Sequence, residues 1–253
     1  MTGTLTAGTV YLVGAGPGAP DLLTVRAVRL LGEADIVFHD ALVPEEILRL
    51  ASRAEKIAVG KRSGRHSTAQ RFINKRLADA ARTHRVVVRL KGGDPMLFGR
   101  AHEEIAYLNG KNIPVKIVPG VTAALAASAE LKISLTKRGT ARSVTFVTPR
   151  VGEGERASSW VAAVMAADTA AIYMGAGEAA AISQALVAAG KAGSTPVAVV
   201  ESSSLPGSRV QFGFLKNLPE LAPAMPAGPT LILLGEVYAE AARVLERRAS
   251  QAA

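Results

Sequence analysis

The chain has 253 residues, of which 49% are hydrophobic and 20% are charged. This composition supplies enough apolar side chains for a sizeable buried core and excludes an intrinsically disordered protein. The absence of cysteine excludes disulfides, thiolate metal ligands and thiol nucleophiles.

Membrane insertion and export are not indicated by the sequence. No apolar run reaches the roughly 18 residues of a membrane-spanning helix. The first fifteen residues contain no Lys or Arg ahead of an apolar stretch and no cleavage site of the export type. We therefore expect a cytoplasmic protein without membrane contact. Its four histidines are not spaced as metal ligands, so we expect no metal site.

The formal net charge of +9 is concentrated in one segment. Ten Lys and Arg side chains lie between Lys61 and Lys91, and Asp79 is the one acidic residue among them. A local basic excess attracts anions, so either a nucleic acid or a small polycarboxylate could be the partner. The alternative is a solvated basic helix face.

Short β-branched segments alternate with helical segments in the first half of the chain. We predict strands at residues 10–13, 36–38, 56–59, 86–90 and 115–118. We predict helices at residues 23–32, 44–51, 68–82 and 98–109. This alternation predicts an α/β domain over residues 1–120, with a parallel five-stranded sheet covered on both faces.

The second half repeats the alternation with one difference. Predicted strands lie at residues 144–147, 170–174, 197–200, 210–214 and 231–234, and predicted helices at 121–130, 158–167, 176–189 and 236–248. No helix separates the third and fourth of these strands, which favours a mixed sheet. We therefore expect a second α/β domain over residues 121–248 and a flexible tail over 249–253.

A glycine-rich loop follows the first predicted strand. Residues Gly14–Ala19 satisfy the dinucleotide fingerprint, and Asp40 lies at the spacing of a ribose-binding carboxylate. However, Pro17 and Pro20 remove backbone N–H donors, and the helix starts late, so the loop is a poor phosphate cradle. A nicotinamide-dependent oxidoreductase and a purely structural turn remain alternatives.

The loop after the fourth predicted strand is more informative. Its adjacent glycines, Gly92 and Gly93, let a ligand touch bare backbone, and Asp94 can accept a hydrogen bond from an amine or hydroxyl. A zwitterionic, non-phosphorylated cofactor such as S-adenosyl-L-methionine suits this loop. Because ligands of α/β sheets bind beyond the carboxyl ends of strands, the loops after the first, fourth and fifth strands are expected to converge.

These motifs resemble the tetrapyrrole methylases, in the right order and over nearly the whole chain. The matching segments are Val13–Gly18 with Asp21–Thr24, Val59–Arg62 with His66 and Ser67, Arg89–Pro95 with Phe98–Arg100, Pro119–Ala124, Ser134–Thr136, Tyr173–Gly175, and Gly228–Thr230 with Gly235–Val237. The Leu90–Pro95 form resembles the branch of the family that methylates uroporphyrinogen III.

The resemblance implies a homodimer of two-domain subunits, with the cofactor in the cleft between the domains and uroporphyrinogen III above it. The cofactor would be S-adenosyl-L-methionine, leaving S-adenosyl-L-homocysteine as product. Its implied contacts are Pro17, Gly92, Gly93, Asp94, Leu97, Thr122, Ala123, Met174, Ser203 and Thr230.

The implied reaction is two successive methyl transfers to C2 and C7, giving precorrin-2 for sirohaem, cobalamin or haem d1 synthesis. Because the cofactor carries an activated methyl group, the protein mainly aligns the reactants and excludes water. The substrate is a polycarboxylate, and we expect charge-assisted hydrogen bonds from Lys61, Arg62, Arg65 and Arg150.

The resemblance assigns catalysis to Arg100, with Glu103 one helical turn away. An arginine with a pKa above about 12 is a poor base, so we expect it to orient substrate and stabilise charge. The alternative is an ordinary exposed ion pair among Arg100, Glu103 and Glu104.

The chain departs from the family pattern in three places. Ala101 and His102 replace two glycines, Pro149 and Arg150 replace a Gly-His pair, and Ser202–Ser204 replace an Asn-containing triplet. A methylase of another tetrapyrrole therefore remains an alternative. A nucleic-acid-binding protein is disfavoured, because aromatic residues make up only 4% of the chain. We expect no fused dehydrogenase–chelatase domain in a chain of this length.

Overall fold

The computed structural model describes residues 8–59, 70–152, 158–222 and 227–244. The chain divides into two compact units, the first ending at Thr122 and the second beginning at Ala123. Among the described residues, no helix combines the length and apolar character needed to cross a bilayer.

The first unit contains a five-stranded sheet whose strands are all parallel. The strands are β1 (Thr9–Gly14), β2 (Ile36–His39), β3 (Glu55–Ala58), β4 (Val86–Lys91) and β5 (Val115–Val118), in the order β3-β2-β4-β1-β5. The helices are α1 (Val25–Glu33), α2 (Glu45–Leu48), α3 (Gln70–Ala80) and α4 (Ala101–Asn109). The predicted parallel sheet is confirmed.

Side chains on the two faces of this sheet enter two separate cores. Leu12 of β1 packs in one core with Leu77 of α3 and Leu108 of α4. The next residue, Val13, packs in the other core with Leu30 of α1. Because successive strand side chains point to opposite faces, apolar residues at every strand position are what a doubly covered sheet requires.

The second unit contains a mixed sheet, as predicted. Its strands are β6 (Val144–Val147), β7 (Thr169–Tyr173), β8 (Pro196–Glu201), β9 (Arg209–Phe214) and β10 (Thr230–Gly235), in the order β6-β7-β10-β8-β9. Its helices are α5 (Ala123–Leu131), α6 (Trp160–Ala166), α7 (Ala179–Ala188) and α8 (Leu218–Leu221). Only β6 and β7 pair in parallel, and the other neighbours are antiparallel.

Several helices differ from their predicted limits. The helix predicted from residue 98 begins only at Ala101, because Phe98 and Arg100 have left-handed φ values of 53° and 54°. Residues Ala176–Glu178 form a 3-10 turn before α7. The short helix α8 has no counterpart in the sequence prediction. Within the described part of the last predicted helix, residues 239–244 are helical after a 3-10 turn, Glu236–Tyr238.

The packing of α7 gives a test of the second core. Leu186 is fully buried, whereas its neighbour Val187 is 45% exposed. We expect Leu186→Ala to lower the free energy of unfolding by about 2–5 kcal/mol, since it leaves a cavity. Val187→Ala should change it by less than about 0.5 kcal/mol. Trp160, the single tryptophan of the chain, packs against this core and reports its unfolding by fluorescence in urea. Equal losses in both variants would contradict the packing.

Candidate functional site

Loops at the carboxyl ends of β1 and β4 are joined by backbone hydrogen bonds. The Gly93 N–H donates to the Gly16 carbonyl at 2.7 Å, and the Gly16 N–H donates to the Gly93 carbonyl at 3.2 Å. The Ala15 N–H donates to the Lys91 carbonyl at 2.7 Å. The expected convergence of these two loops is therefore present.

The end of β5 approaches the same two loops too closely for any side chain. A Cβ added to Gly120 would lie 2.3 Å from the Gly93 carbonyl oxygen and 2.8 Å from the Gly14 Cα. A Cβ added to Gly14 would lie 2.6 Å from the Gly120 Cα. These glycines are required because the three strand ends meet through backbone atoms alone.

Asp94 links the loop after β4 to the loop after β5. One carboxylate oxygen, Oδ2, accepts from the Gly120 N–H at 2.9 Å, and Oδ1 accepts from the Met96 N–H at 2.8 Å. Both oxygens therefore serve the fold of the loops, a role that the sequence did not indicate. The contact of Asp94 with a cofactor stays a prediction.

The turn at Gly92 and Gly93 presents open backbone. Gly93 has a φ of +65°, and no described atom would lie within 4 Å of a Cβ placed on it. At Gly92 the nearest atom to such a Cβ is the Leu42 Cβ, at 3.7 Å. Gly92 is exposed, and Pro17 and Leu97 are half-buried on the adjoining loops. The first unit thus brings together five of the predicted cofactor residues: Pro17, Gly92, Gly93, Asp94 and Leu97.

Arg100 and Glu103 form a bidentate ion pair on the first turn of α4. Arg100 Nε donates to Glu103 Oε1 at 2.6 Å, and a terminal guanidinium nitrogen donates to Oε2 at 2.8 Å. The hydrogen bond from Arg100 lowers the pKa of Glu103 below its ordinary value. The side chains are 58% and 45% exposed, so the pair can meet a ligand. The exposed i,i+3 ion pair of the alternative interpretation is therefore present, between Arg100 and Glu103, and Glu104 is not a member of it.

Glu104 instead lies at the centre of a buried charged cluster that sequence reasoning missed. Its Oε1 accepts from Arg89 Nε at 3.1 Å and its Oε2 from Lys91 Nζ at 2.9 Å. All three side chains are at least 96% buried. Burial lowers the pKa of Lys91, the neighbouring Arg89 charge lowers it further, and Glu104 opposes both effects.

Asp40 pairs with the other end of Arg89. Of its two predicted roles, ribose binding and loop initiation, the second is present, since Asp40 directly follows β2 and its carbonyl accepts from the Val43 N–H at 3.2 Å. The carboxylate is in addition the partner of a buried cation. One signal in the sequence pointed here. Arg89 and Lys91 are two residues apart in an otherwise apolar strand, so they share a face and need carboxylate partners if that face is covered.

The basic segment divides into parts with different surroundings. The predicted substrate ligands Lys61, Arg62 and Arg65 lie outside the described residues. Lys75 and Arg82 both pair with Asp79, at 3.2 and 3.1 Å. In the described part of the basic segment, much of the positive charge is therefore paired with carboxylates of the same chain. Two of these cations are buried in the cluster around Glu104.

In the second unit, the sheet brings further predicted residues to one edge. Residue Leu231 of β10 pairs with Tyr173 of β7 on one side and with Val200 of β8 on the other. Because β10 runs antiparallel to both neighbours, its start lies beside their carboxyl ends. Met174, Ser203 and Thr230 occupy that edge together with Arg150, which follows the parallel strand β6. The list of predicted residues is completed by Thr122 and Ala123, at the start of α5.

Met174 is not a core residue, and its contact with a cofactor stays a prediction. It is 46% exposed and has a left-handed φ of 57°. The preceding Tyr173 hydroxyl accepts from the Ala124 N–H of α5 at 3.1 Å. Left-handed conformations of residues other than glycine are strained, and such strain is concentrated at functional sites.

Glu130 of α5 accepts hydrogen bonds that hold the serine-rich loop after β8 in place. Its Oε2 accepts from Ser203 Oγ at 2.9 Å and from the Ser204 N–H at 3.0 Å, and its Oε1 accepts from Ser208 Oγ. Burial raises the pKa of Glu130, but these hydrogen bonds outweigh it and leave the pKa lowered. No motif in the sequence singled out Glu130.

Comparison with known proteins identifies the family to which the chain belongs. The model of the family Tetrapyrrole (Corrin/Porphyrin) Methylases matches residues 9–219. The chain is 48% identical over 233 residues to a siroheme synthase of Chromobacterium violaceum, covering 91% of this chain and 50% of that protein. The chain spans about half the length of the curated relatives it matches. It belongs to the tetrapyrrole methylase family.

Two solved structures extend the comparison. The uroporphyrin-III C-methyl transferase of Thermus thermophilus, complexed with S-adenosyl homocysteine, matches with a TM-score of 0.81 and 40% identity. The match covers 92% of this chain and all of that one. A cobalt precorrin-4 methyltransferase matches with a TM-score of 0.78 and 26% identity, covering 90% of this chain and 95% of that one.

The glycine contact at the end of β5 is open to mutation. Gly120→Ala would force a methyl group to within 2.3 Å of the Gly93 carbonyl oxygen, so we expect a loss of stability of about 1–3 kcal/mol or more. The matched control is Gly32→Ala in α1, where no described atom lies within 4 Å. It should be neutral or stabilising by up to about 1 kcal/mol. Denaturation followed by circular dichroism measures both, and a harmless Gly120→Ala would refute the close approach.

The Glu130 contacts predict a pH dependence. Since the pKa of Glu130 is lowered from its ordinary 4.5 in the folded chain, its stabilising effect is complete above that value and is lost as the pH falls through the folded pKa. The difference in melting temperature between wild type and Glu130→Gln should therefore shrink between pH 6 and about pH 3. Ser208→Ala removes one donor and should lose only part of this dependence. A difference that stays constant with pH would contradict the assignment.

Proposed function

We propose that the chain is an S-adenosyl-L-methionine-dependent C-methyltransferase that converts uroporphyrinogen III to precorrin-2 by methylation at C2 and C7. The observation that carries the proposal is the loop after β4. It combines the Leu90–Pro95 sequence with open backbone at Gly92 and Gly93. The 40% identity to the Thermus thermophilus enzyme over its whole length supports the same substrate.

The loops of the first unit suit a cofactor with an amino-acid head and an uncharged nucleoside. The Cβ positions of Gly92 and Gly93 have open space around them among the described residues, so a ligand can lie against this turn. The N–H and carbonyl of Gly93 are themselves hydrogen-bonded to Gly16. The proposed contacts in this unit are Pro17, Gly92, Gly93, Asp94, Leu97 and Thr122. Those in the second unit are Ala123, Met174, Ser203 and Thr230.

The catalytic contribution of the chain is alignment and charge stabilisation. Bound S-adenosyl-L-methionine supplies a methyl group on a sulfonium centre, and the acceptor is an electron-rich pyrrole carbon. Arg100, held by two hydrogen bonds from its guanidinium to Glu103, presents a fixed cation to the substrate. Such a cation orients a carboxylate and stabilises charge without acting as a base.

The substrate carboxylates require cations near the site. We assign this role to Arg150, which is exposed at the end of β6, and to Lys61, Arg62 and Arg65, which follow β3 in the chain. Guanidinium groups suit carboxylates because they donate two parallel hydrogen bonds. The proposal includes a cytoplasmic homodimer, with the product used for sirohaem or cobalamin synthesis.

A methylase of a later corrin intermediate is the second candidate. The structural likeness to a cobalt precorrin-4 methyltransferase favours it, although the identity of 26% is lower than that to the Thermus thermophilus enzyme. The two candidates differ in the substrate accepted and in the number of methyl groups transferred.

Anaerobic incubation with uroporphyrinogen III and methyl-labelled S-adenosyl-L-methionine tests the proposal. Mass spectrometry counts the labels on each tetrapyrrole, and two labels at the mass of precorrin-2 are expected. No transfer, combined with calorimetric binding of S-adenosyl-L-homocysteine, would reject this substrate and favour the second candidate. Failure to bind S-adenosyl-L-homocysteine would reject both.

The role of Arg100 leads to a kinetic prediction. Arg100→Ala should lower kcat by about 100-fold, because a cation that stabilises developing charge is removed. The dissociation constant of S-adenosyl-L-homocysteine should change little. The control is Arg29→Ala, which removes an exposed cation paired with Glu33 at 3.8 Å on α1. Equal losses of turnover and cofactor affinity in Arg100→Ala would refute its catalytic role.

A further inference from the structure

The charged cluster around Glu104 contains two buried cations, the buried Glu104 carboxylate and the partly exposed Asp40 carboxylate. Glu104 is fully buried and accepts hydrogen bonds from Arg89 and Lys91 of β4. Asp40 pairs with the far end of Arg89. The formal charges of the four groups therefore balance. Gln70 of α3 adds a hydrogen bond to Glu104 Oε1, at 3.1 Å.

The cluster lies directly beneath the first turn of α4. Arg100 precedes the helix in a left-handed conformation, and Glu103 is paired with it on the exposed side. Glu104, the next residue, enters the interior. Glu103 therefore lies with Arg100 on the exposed face of the turn. Glu104 lies on the buried face, where it is hydrogen-bonded to β4.

Lys91 also lies close to the residue that precedes Arg100. A Cβ placed on Gly99 would lie 3.2 Å from Lys91 Cε and 2.6 Å from the Pro95 carbonyl oxygen. The stem of Lys91 therefore lies beside Gly99. From α3, the Asn74 amide donates to the Glu103 carbonyl at 3.3 Å, so the same turn is held from a second side.

A buried ion cluster is a costly way to obtain stability alone. Apolar side chains of similar volume are often as stabilising as a buried ion pair or more so, because ions lose their hydration. The directional hydrogen bonds of such a cluster also fix the geometry of the groups that form them. In this chain they fix the turn that carries Arg100 and Glu103.

We propose that Glu104 is a positioning residue, which acts with Lys91 to hold the Arg100–Glu103 pair in place for methyl transfer. This role rests on the proposed function, since Arg100 and Glu103 are assigned there to the substrate step. Glu104 itself touches neither cofactor nor substrate. Its loss should therefore impair turnover while leaving cofactor affinity intact.

Three variants separate positioning from folding. Glu104→Gln keeps the shape of the side chain and removes its charge, and Lys91→Met removes the opposing charge. The double variant restores the charge balance but not the hydrogen bond between Lys91 and residue 104. Glu33→Gln, in the exposed pair with Arg29 on α1, is the control for loss of a carboxylate.

The measurements are kcat and KM with uroporphyrinogen III, the dissociation constant of S-adenosyl-L-homocysteine, and the melting temperature. We expect kcat of Glu104→Gln to fall at least about tenfold, with cofactor affinity within about threefold of wild type. The double variant should recover melting temperature without recovering kcat. Recovery of both together, or an unchanged kcat in Glu104→Gln, would overturn the proposal.

Hydrogen exchange gives a readout that needs no substrate. Amides of the segment 98–103 should exchange at least about tenfold faster in Glu104→Gln, while those of α7 should not change. If the wild-type chain transfers no methyl group to uroporphyrinogen III, the proposed substrate is wrong and exchange alone decides the positioning role. Unchanged exchange in the segment 98–103 would overturn that role for any substrate.

Discussion

The first unit depends on the meeting of three strand ends through backbone alone. Gly14, Gly93 and Gly120 approach so closely that a Cβ on Gly14 or Gly120 would fall within 2.8 Å of a neighbouring backbone atom. The hydrogen bonds between Gly16 and Gly93 and the carboxylate of Asp94 then fix the loops above this point. Without the close approach, these loops would lose the hydrogen bonds that define their shape. The open backbone at Gly92 is therefore a consequence of how β1, β4 and β5 end.

A second constraint acts on the face of β4 that packs against α4. Arg89 and Lys91 place two cations in the interior, where Glu104 and Asp40 neutralise them. Removing one member of such a cluster leaves an uncompensated charge, at a cost of about 3–5 kcal/mol in comparable sites. The strand that ends in the glycine turn is thus also the strand that anchors α4. Residues proposed for cofactor binding and residues proposed for catalysis therefore both adjoin β4.

Much of the fold could be predicted because its signals are local. The β-branched segments predicted all ten strands to within two residues at each end, and the missing helix between β8 and β9 predicted the mixed sheet. The helix limits were less accurate around Arg100, since the left-handed residues there have no local sequence signal. The cluster around Glu104 escaped prediction because Asp40, Arg89 and Glu104 are distant in sequence and meet only after the sheet forms. Glu130 escaped for the same reason, as its serine partners lie more than seventy residues away.

Contact between the cofactor and the bare backbone of Gly92 is tested most directly by calorimetric titration of S-adenosyl-L-homocysteine into wild type and Gly92→Leu. The Cβ of a side chain at this position has room, since its nearest atom would be the Leu42 Cβ at 3.7 Å. The melting temperature of the variant is the control for folding. A cofactor that lies against this backbone predicts an affinity at least about tenfold weaker in the variant. Equal affinity in the two proteins would contradict the site.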